Sequence, residues 1–208
     1  MSGAVQIQTS MSLDGFIAGP DDDMDWIFDD AAAGDGAAGD GAAGDGAAGN
    51  GAAGDGAAGE GGADVAADVM AMTGAILAGR RTYDVGRRST RSETSEPYGG
   101  GWSGTQFVLT HRPVDDPDVT FLSGDVRRAV EIGLAAAGEK NLAVFGADVG
   151  AQCLAADLVD EVMVWVVPVL LGAGVPLYRS AAPARIRLEE IGSRPLGGAT
   201  RLHYRVVR

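Results

Sequence analysis

Three short stretches place anion-holding groups directly after an apolar run. In "ILAGRRTYD" the run ends at Gly79, and Arg80, Arg81 and Thr82 begin what reads as a helix. Main-chain N–H groups at a helix start, with guanidinium groups beside them, suit a phosphate. A surface arginine pair after a strand is the plainer alternative. In "FVLTHRP" the run ends in Thr110, His111 and Arg112, a hydroxyl, an imidazole and a guanidinium. These can meet a second part of the same anion, or form an ordinary polar turn before Pro113. In "AVFGADVGAQ" an apolar run, Gly146 and a helix starting near Asp148 could hold a pyrophosphate on a helix N-terminus. The pattern is not G-x-G-x-x-G, and Asp148 reads equally well as an N-cap.

A fourth stretch, "SMSLDGFIAGPDDDMDW", runs from a strand into a loop holding Gly15, Ile17 and Gly19, which could cover a flat ring. Its acids Asp21, Asp22, Asp23 and Asp25 sit in a Pro-led turn and read as solvated rather than metal-binding. Trp26, Ile27 and Phe28 read first as a packing anchor and second as a substrate wall. Other chemistries lack their residues. There is no G-x-S-x-G, H-E-x-x-H or C-x-x-C pattern. His111, His203 and the single Cys153 make a poor zinc set, so no metal is expected.

The elements that must position these groups alternate between strand and helix. "AVQIQTSMSL" has β-type alternation and ends at Asp14-Gly15. "ADVAADVMAMTG" reads as a short helix, with Val65, Val69 and Met72 along one face. "AILAG", "QFVLT", "DVTFL" and "NLAVF" are strand candidates. Between the last two lies a helix capped by Ser123 or Asp125, with Val126, Ala129, Val130, Gly133, Leu134 and Ala137 on one face and Gly138 as its C-terminal glycine. "ADVGAQCLAAD" is a further helix. "DEVMVWVVPVLLG" reads as a long strand with Pro168 near an edge or bulge. "RIRLEEIGS" and "TRLHYRVV" close the chain as an antiparallel pair. The expected fold is α/β: an eight-stranded, mainly parallel mixed sheet, an antiparallel C-terminal hairpin and four flanking helices.

From Gly34 to Gly62 a five-residue Gly-acid-Gly-Ala-Ala unit repeats. A calcium-binding β-roll needs a nine-residue unit with a large apolar residue, and a pentapeptide solenoid needs a stackable Leu or Phe. Thirteen of these 29 residues are glycine, costly to order and with almost no apolar area to offset the cost. Residues 31–63 are therefore expected to be a disordered low-complexity insertion in a single domain spanning 1–208.

The net charge is −13, and removing the repeat's five acids leaves −8. So acidic a chain is a poor partner for nucleic acid. No apolar run approaches the ~18 residues of a membrane span. With no basic, apolar leader at its start and one cysteine, the chain is expected to be cytoplasmic.

Taken in order, "MSLDGFIAG", "ILAGRRTYD", "FVLTHRP", "VTFL", "VFGADVGAQCLAADLVDEVMVWVVPVLLGAGVPLY" and "RLHYRVV" resemble the dihydrofolate reductase superfamily. The branch they are most similar to holds the reductase domain of the riboflavin-biosynthesis deaminase-reductase. The resemblance implies NADPH as hydride donor. It puts Gly79, Arg80, Arg81, Thr82, Thr110, His111 and Arg112 at the adenosine 2′-phosphate and pyrophosphate. Gly146, Ala147, Asp148, Val149 and Gln152 would lie along the pyrophosphate, and Ser10, Ile17 and Ala18 near the nicotinamide. It implies an acid at the start of the first helix facing the substrate ring: Asp64, with Asp68 one turn on. An N-cap role for Asp64 is the alternative. Asp14, Trp26 and Phe28 complete the substrate-side candidates. Relatives carry consecutive glycines where this chain has Phe145-Gly146-Ala147, and only a few residues where it has the repeat. The accompanying zinc deaminase pattern, H-x-E…P-C-x-x-C, is missing.

The resemblance thus implies an NADPH-dependent reductase acting on a C=N or C=O carbon of a small pteridine-, pyrimidine- or sugar-derived substrate. An NADP(H)-binding protein of this fold without efficient turnover is the alternative. Relatives in this branch are often homodimers, and the same is expected here.

Overall fold

The computed structural model describes residues 3–27, 62–89, 96–179, 185–196 and 198–208, with side chains of the first helix from residue 67 onward. Phe28, nearly all of the repeat and the Asp64 side chain lie outside the described residues.

The strands are β1 (Val5–Ser12), β2 (Phe16–Ala18), β3 (Thr73–Gly79), β4 (Thr105–Leu109), β5 (Thr120–Leu122), β6 (Asn141–Phe145), β7 (Glu161–Val167), β8 (Val175–Pro176), β9 (Arg187–Leu196) and β10 (Ala199–Val207). The helices are α1 (Gly62–Met72), α2 (Arg80–Arg88), α3 (Val126–Ala137) and α4 (Ala147–Ala155). Eight strands form one sheet in the order β5-β4-β3-β6-β1-β7-β10-β9, and β2 pairs with β8 in a small second sheet. Every pairing from β5 to β7 is parallel, and β10 runs antiparallel to both β7 and β9. The mixed sheet read from the sequence is therefore the sheet observed. The long strand predicted over "DEVMVWVVPVLLG" is shorter: β7 stops at Val167, because Pro168 offers no N–H to the ladder.

Side-chain alternation divides the core between the two faces of the sheet. On one face Val5, Ile7, Ala75, Leu77, Leu142, Val144, Val162 and Val164 pack under α3 and α4, which contribute Val126, Ala129, Val130, Val149 and Cys153. Burial pushes the Cys153 thiol up to about 12, so it behaves as an apolar core residue. On the other face Ile76, Ala78, Ala143, Phe145, Met163 and Trp165 pack with Val69 of α1 and with Tyr98. Met72, expected on the buried face of α1, is 56% exposed. It ends the helix immediately before β3, where the chain turns into the sheet.

α3 is built as its sequence reads. Asp125, not Ser123, is the N-cap, its side chain accepting from the Arg128 N–H. Gly138 closes the helix at φ 67°, a conformation in which glycine is unstrained.

Two polar arrangements, one buried and one half-buried, lie on the α1 face. Tyr98 Oη donates to Gln8 Oε1 at 2.6 Å and lies 3.1 Å from Thr73 Oγ1, and Gln8 Nε2 donates to Gln6 Oε1. Burial drives the Tyr98 phenol well above its ordinary pKa, so it stays a neutral donor. At the far end of β7, Glu161 Oε2 accepts from Gln6 Nε2 at 2.9 Å and lies 2.8 Å from His203 Nε2. His203 is thereby structural, as its place in the strand alternation suggested.

Candidate functional site

β3 and β6 are neighbours, but the chain leaves them in opposite directions. From β3 it moves outward through α2 to β4. From β6 it moves back through α4 to β7. Right-handed crossovers then put α1 and α2 on one face and α3 and α4 on the other. A crevice must open beyond the carboxyl ends of β3 and β6, at the point where strand order reverses, and such crevices take ligands.

A cleft of about 840 Å³ lies there, within the range of small-molecule sites. The two helices that start at it share one construction. α2 begins after Gly79 and α4 after Gly146, and neither N-cap supplies a side chain to the first-turn N–H groups. Two sets of helix-start donors therefore open onto one space, each at the positive end of a helix dipole. Gly146 has φ 94° and ψ 144°, where only glycine is unstrained, and a Cβ built on it would collide with Thr82 Oγ1. A Cβ at Gly79 would come within 3.1 Å of Val149 Cγ2. The glycines keep the floor of the cleft open.

The rim carries Arg80, Arg81, Thr82, Thr110, His111 and Arg112. Thr110 directly follows β4 and is held by its N–H on Leu122 O at 2.9 Å, while its hydroxyl accepts from the Arg112 N–H. Arg80 is braced by Asp84 at 2.8 Å and by a hydrogen bond from Nη1 to the Arg112 carbonyl, which ties the two cationic stretches to each other. Among the described residues the lining holds four arginines (Arg80, Arg81, Arg112, Arg179) and three aspartates (Asp21, Asp22, Asp148). In a chain of net charge −13 this is a local excess of cations, and it favours anions at the cleft.

Most of the sequence-derived cofactor residues meet here: Ile17, Ala18, Gly79, Arg80, Arg81, Thr82, Thr110, His111, Arg112, Gly146, Ala147, Asp148, Val149 and Gln152 all line the cleft. Ser10 does not. Thr9 takes the place on β1, because alternate strand residues face opposite sides and Ser10 shares the face of Gln6 and Gln8. Phe145, where the resemblance led to a glycine being expected, turns its side chain to the α1 face, 5.7 Å edge-on to Tyr98, leaving Gly146 to make the close approach.

The substrate-side candidates scatter. Asp14 accepts from the N–H groups of Leu171 and Gly172, at 3.1 and 2.7 Å, and from Ser12 Oγ at 2.6 Å. These bonds, the serine hydroxyl first, hold its carboxyl below the ordinary range. It pins two loops and does not line the cleft. Trp26 is buried with Ile27, Val167 and Ala199, its Nε1 donating to Asp23 O at 3.2 Å; it is the anchor and not a wall of the cleft. Asp68 is exposed on α1, where its charge acts on Arg201. Sequence reasoning missed Arg179 and the turn Pro20–Asp22, which reach the cleft from β8 and β2. The signal for the turn was the Pro-led run of acids, read as plain solvent exposure.

A mainly parallel eight-stranded sheet with a C-terminal antiparallel hairpin and a cleft at its switch point defines a dihydrofolate-reductase-like protein. The match to a solved Enterococcus faecalis dihydrofolate reductase, with a TM-score of 0.55 over 100% of this chain and 99% of that one at 13% identity, gives the same fold. The chain belongs to the RibD C-terminal domain family, whose model matches residues 4–202. Its sequence is 26% identical over 198 residues to the uncharacterized protein YwjB of Bacillus subtilis, covering 94% of this chain and 93% of that one. A solved Shewanella sp. PV-4 protein named for riboflavin biosynthesis superposes with a TM-score of 0.70 at 21% identity, over 99% of each chain. No helix among the described residues is long and apolar enough to cross a membrane.

Proposed function

We propose that the protein is an NADPH-dependent reductase, passing hydride to a C=N or C=O carbon of a small pteridine-, pyrimidine- or sugar-derived substrate. The observation that carries this is the meeting of two uncapped helix starts, at Gly79 and Gly146, with Arg80, Arg81 and Arg112 at one cleft. A dinucleotide has an anion at its centre, and NADPH has a second on its ribose. The α4 start and Thr82 suit the pyrophosphate. Arg80 and Arg112, tied together by their contact, suit the 2′-phosphate, with His111 beside Arg112 in the cleft lining. The bound cofactor would supply the hydride. This chain's residues hold its phosphates, bring Thr9, Ile17 and Ala18 against the part that lies beyond them, and exclude water there.

Membership of the RibD C-terminal domain family supports the same reading, as does the NADP(H) named with the Enterococcus faecalis structure. The carboxylic acid proposed to protonate the substrate is Asp64, a choice supported by its sequence position early in α1. A homodimer in the cytoplasm is proposed with it, since β9 is an edge strand carrying Leu188 and Ile191, both exposed; sedimentation as a monomer would contradict the dimer. The functional test is NADPH oxidation across a panel of pteridines, pyrimidines and sugar-derived carbonyls. Turnover of at least one supports the reductase. NADPH binding without oxidation of any favours a binding protein instead.

A further inference from the structure

The turn Pro20–Asp22 roofs one side of the cleft with two non-glycine residues at positive φ, Asp21 at 58° and Asp22 at 66°. Hydrogen bonds from Gly19 N to Asp23 O and from Asp23 N to Pro20 O fix its shape. That shape delivers one carboxylate to α2. Asp22 Oδ1 lies 2.6 Å from both Nε and Nη2 of Arg81, and Asp22 Oδ2 lies 3.8 Å from Nη2 of Arg88. The Asp22 side chain is only 15% exposed, while the two arginines are 65% and 68% exposed. Arg81 and Arg88 are seven residues apart, so they stand two turns apart on one helix face. They converge on a single acid from another element. Arg81, Asp22 and the helix-start N–H groups all border the same space.

We infer that Asp22 is an internal anion, braced by Arg88, that competes with the pyrophosphate of a dinucleotide for Arg81, and so sets the affinity of the cleft. The inference rests on the proposed dinucleotide reading of that cleft. Arg80 is turned instead toward Asp84 and the Arg112 carbonyl, so the competition falls on the group NADPH and NADH share and not on the 2′-phosphate. An arriving phosphate must displace a carboxylate already in hydrogen-bond contact, at the cost of two solvent-facing ion pairs. Such pairs are weak, so the effect is a tuning of affinity and not a block.

The test uses the full chain and reads binding, with no substrate present. Asn tolerates the left-handed backbone, so Asp22→Asn removes the charge and keeps the turn. Dissociation constants for NADPH and for NADH are measured by cofactor fluorescence in wild type, D22N, D21N, R81Q and the D22N/R81Q double variant. D22N is expected to tighten both dinucleotides by about two- to fivefold at low salt, and the gain to shrink as salt rises. D21N removes the neighbouring charge without breaking an ion pair to Arg81, and is expected to tighten less. In the R81Q background D22N is expected to lose most of its effect, as a double-mutant cycle reports for groups in contact. Equal gains from D21N and D22N would overturn the inference, since a through-space charge effect would then suffice. So would weaker binding in D22N, which would make the pair a closing strap, or an unchanged D22N effect without Arg81. Failure of every variant to bind either dinucleotide would overturn both this inference and the proposed function; binding without turnover would leave this inference intact.

Discussion

Replacing Gly146 by alanine separates the backbone role of the cleft floor from its binding role. Gly146 sits at φ 94°, ψ 144°, where a residue with a Cβ is strained by about 1–3 kcal/mol. For a chain of 208 residues each kcal/mol lowers Tm by about 2–4 °C, so G146A is expected to melt about 2–12 °C lower. The new Cβ also presses on Thr82 Oγ1, against the start of α2. Losing one hydrogen bond to a charged phosphate costs about 1.5–3 kcal/mol, about ten- to hundredfold in Kd. Gly138 supplies the control, since it has φ 67° with nothing among the described residues within 4 Å of an added Cβ, at the far end of α3 from the cleft. G138A is expected to lower Tm comparably and leave NADPH affinity unchanged. Differential scanning calorimetry and fluorescence titration of both variants give the two readouts. Wild-type affinity in a destabilised G146A would refute the cradle, and an unchanged Tm would refute the strain.

Three further outcomes follow from the core and its polar groups. His203, foremost, holds the Glu161 carboxyl below its unfolded value of 4.5; a depressed carboxylate stabilises above the unfolded pKa and loses that contribution as pH falls through the folded one. Stability is therefore expected to fall below about pH 4.5, and Glu161→Gln to flatten that decline, read by urea unfolding at several pH values. Asp125→Ala removes the α3 cap and is expected to cost about 0.5–2 kcal/mol, with a change under about 0.3 counting against the cap. Arg201 stands directly across from Arg194, with its Nε buried and without a hydrogen-bond partner among the described residues. Arg201→Met is expected to leave stability unchanged or raise it, and a loss above about 1 kcal/mol in chemical denaturation would contradict this.

Where the chain reports its own geometry through local pattern, the sequence could be read. The strand-glycine-helix junctions at Gly79 and Gly146 and the cationic end of β4 announce themselves within a few residues each. The sheet then brings them together because β3, β4 and β6 are adjacent. Failures came where partners are distant. Asp14 is fixed by amides more than 150 residues away, so its tie to the β7–β8 loop has no local sign. Ser10 and Thr9 differ only in strand phase. Polar Gln6 and Gln8 made the outer and inner faces of β1 hard to tell, since their burial depends on Tyr98 and Glu161. Tyr98 and Trp102, which complete the α1 face, fall in a stretch with no strand or helix period. Asp22 looked like one solvated acid among several, because only the fold shows that α2 presents Arg81 and Arg88 to it.

The proposed function requires that the cleft at the carboxyl ends of β3 and β6 hold NADPH by its phosphates. Fluorescence titration of the protein with NADPH, beside an Arg80→Gln variant, tests it most directly. Arg80 sits at the proposed 2′-phosphate end, so saturable NADPH binding is expected, weakening about tenfold or more in R80Q, with NADH much less affected. An absence of saturable binding at high micromolar NADPH, or equal losses for NADPH and NADH, would contradict it.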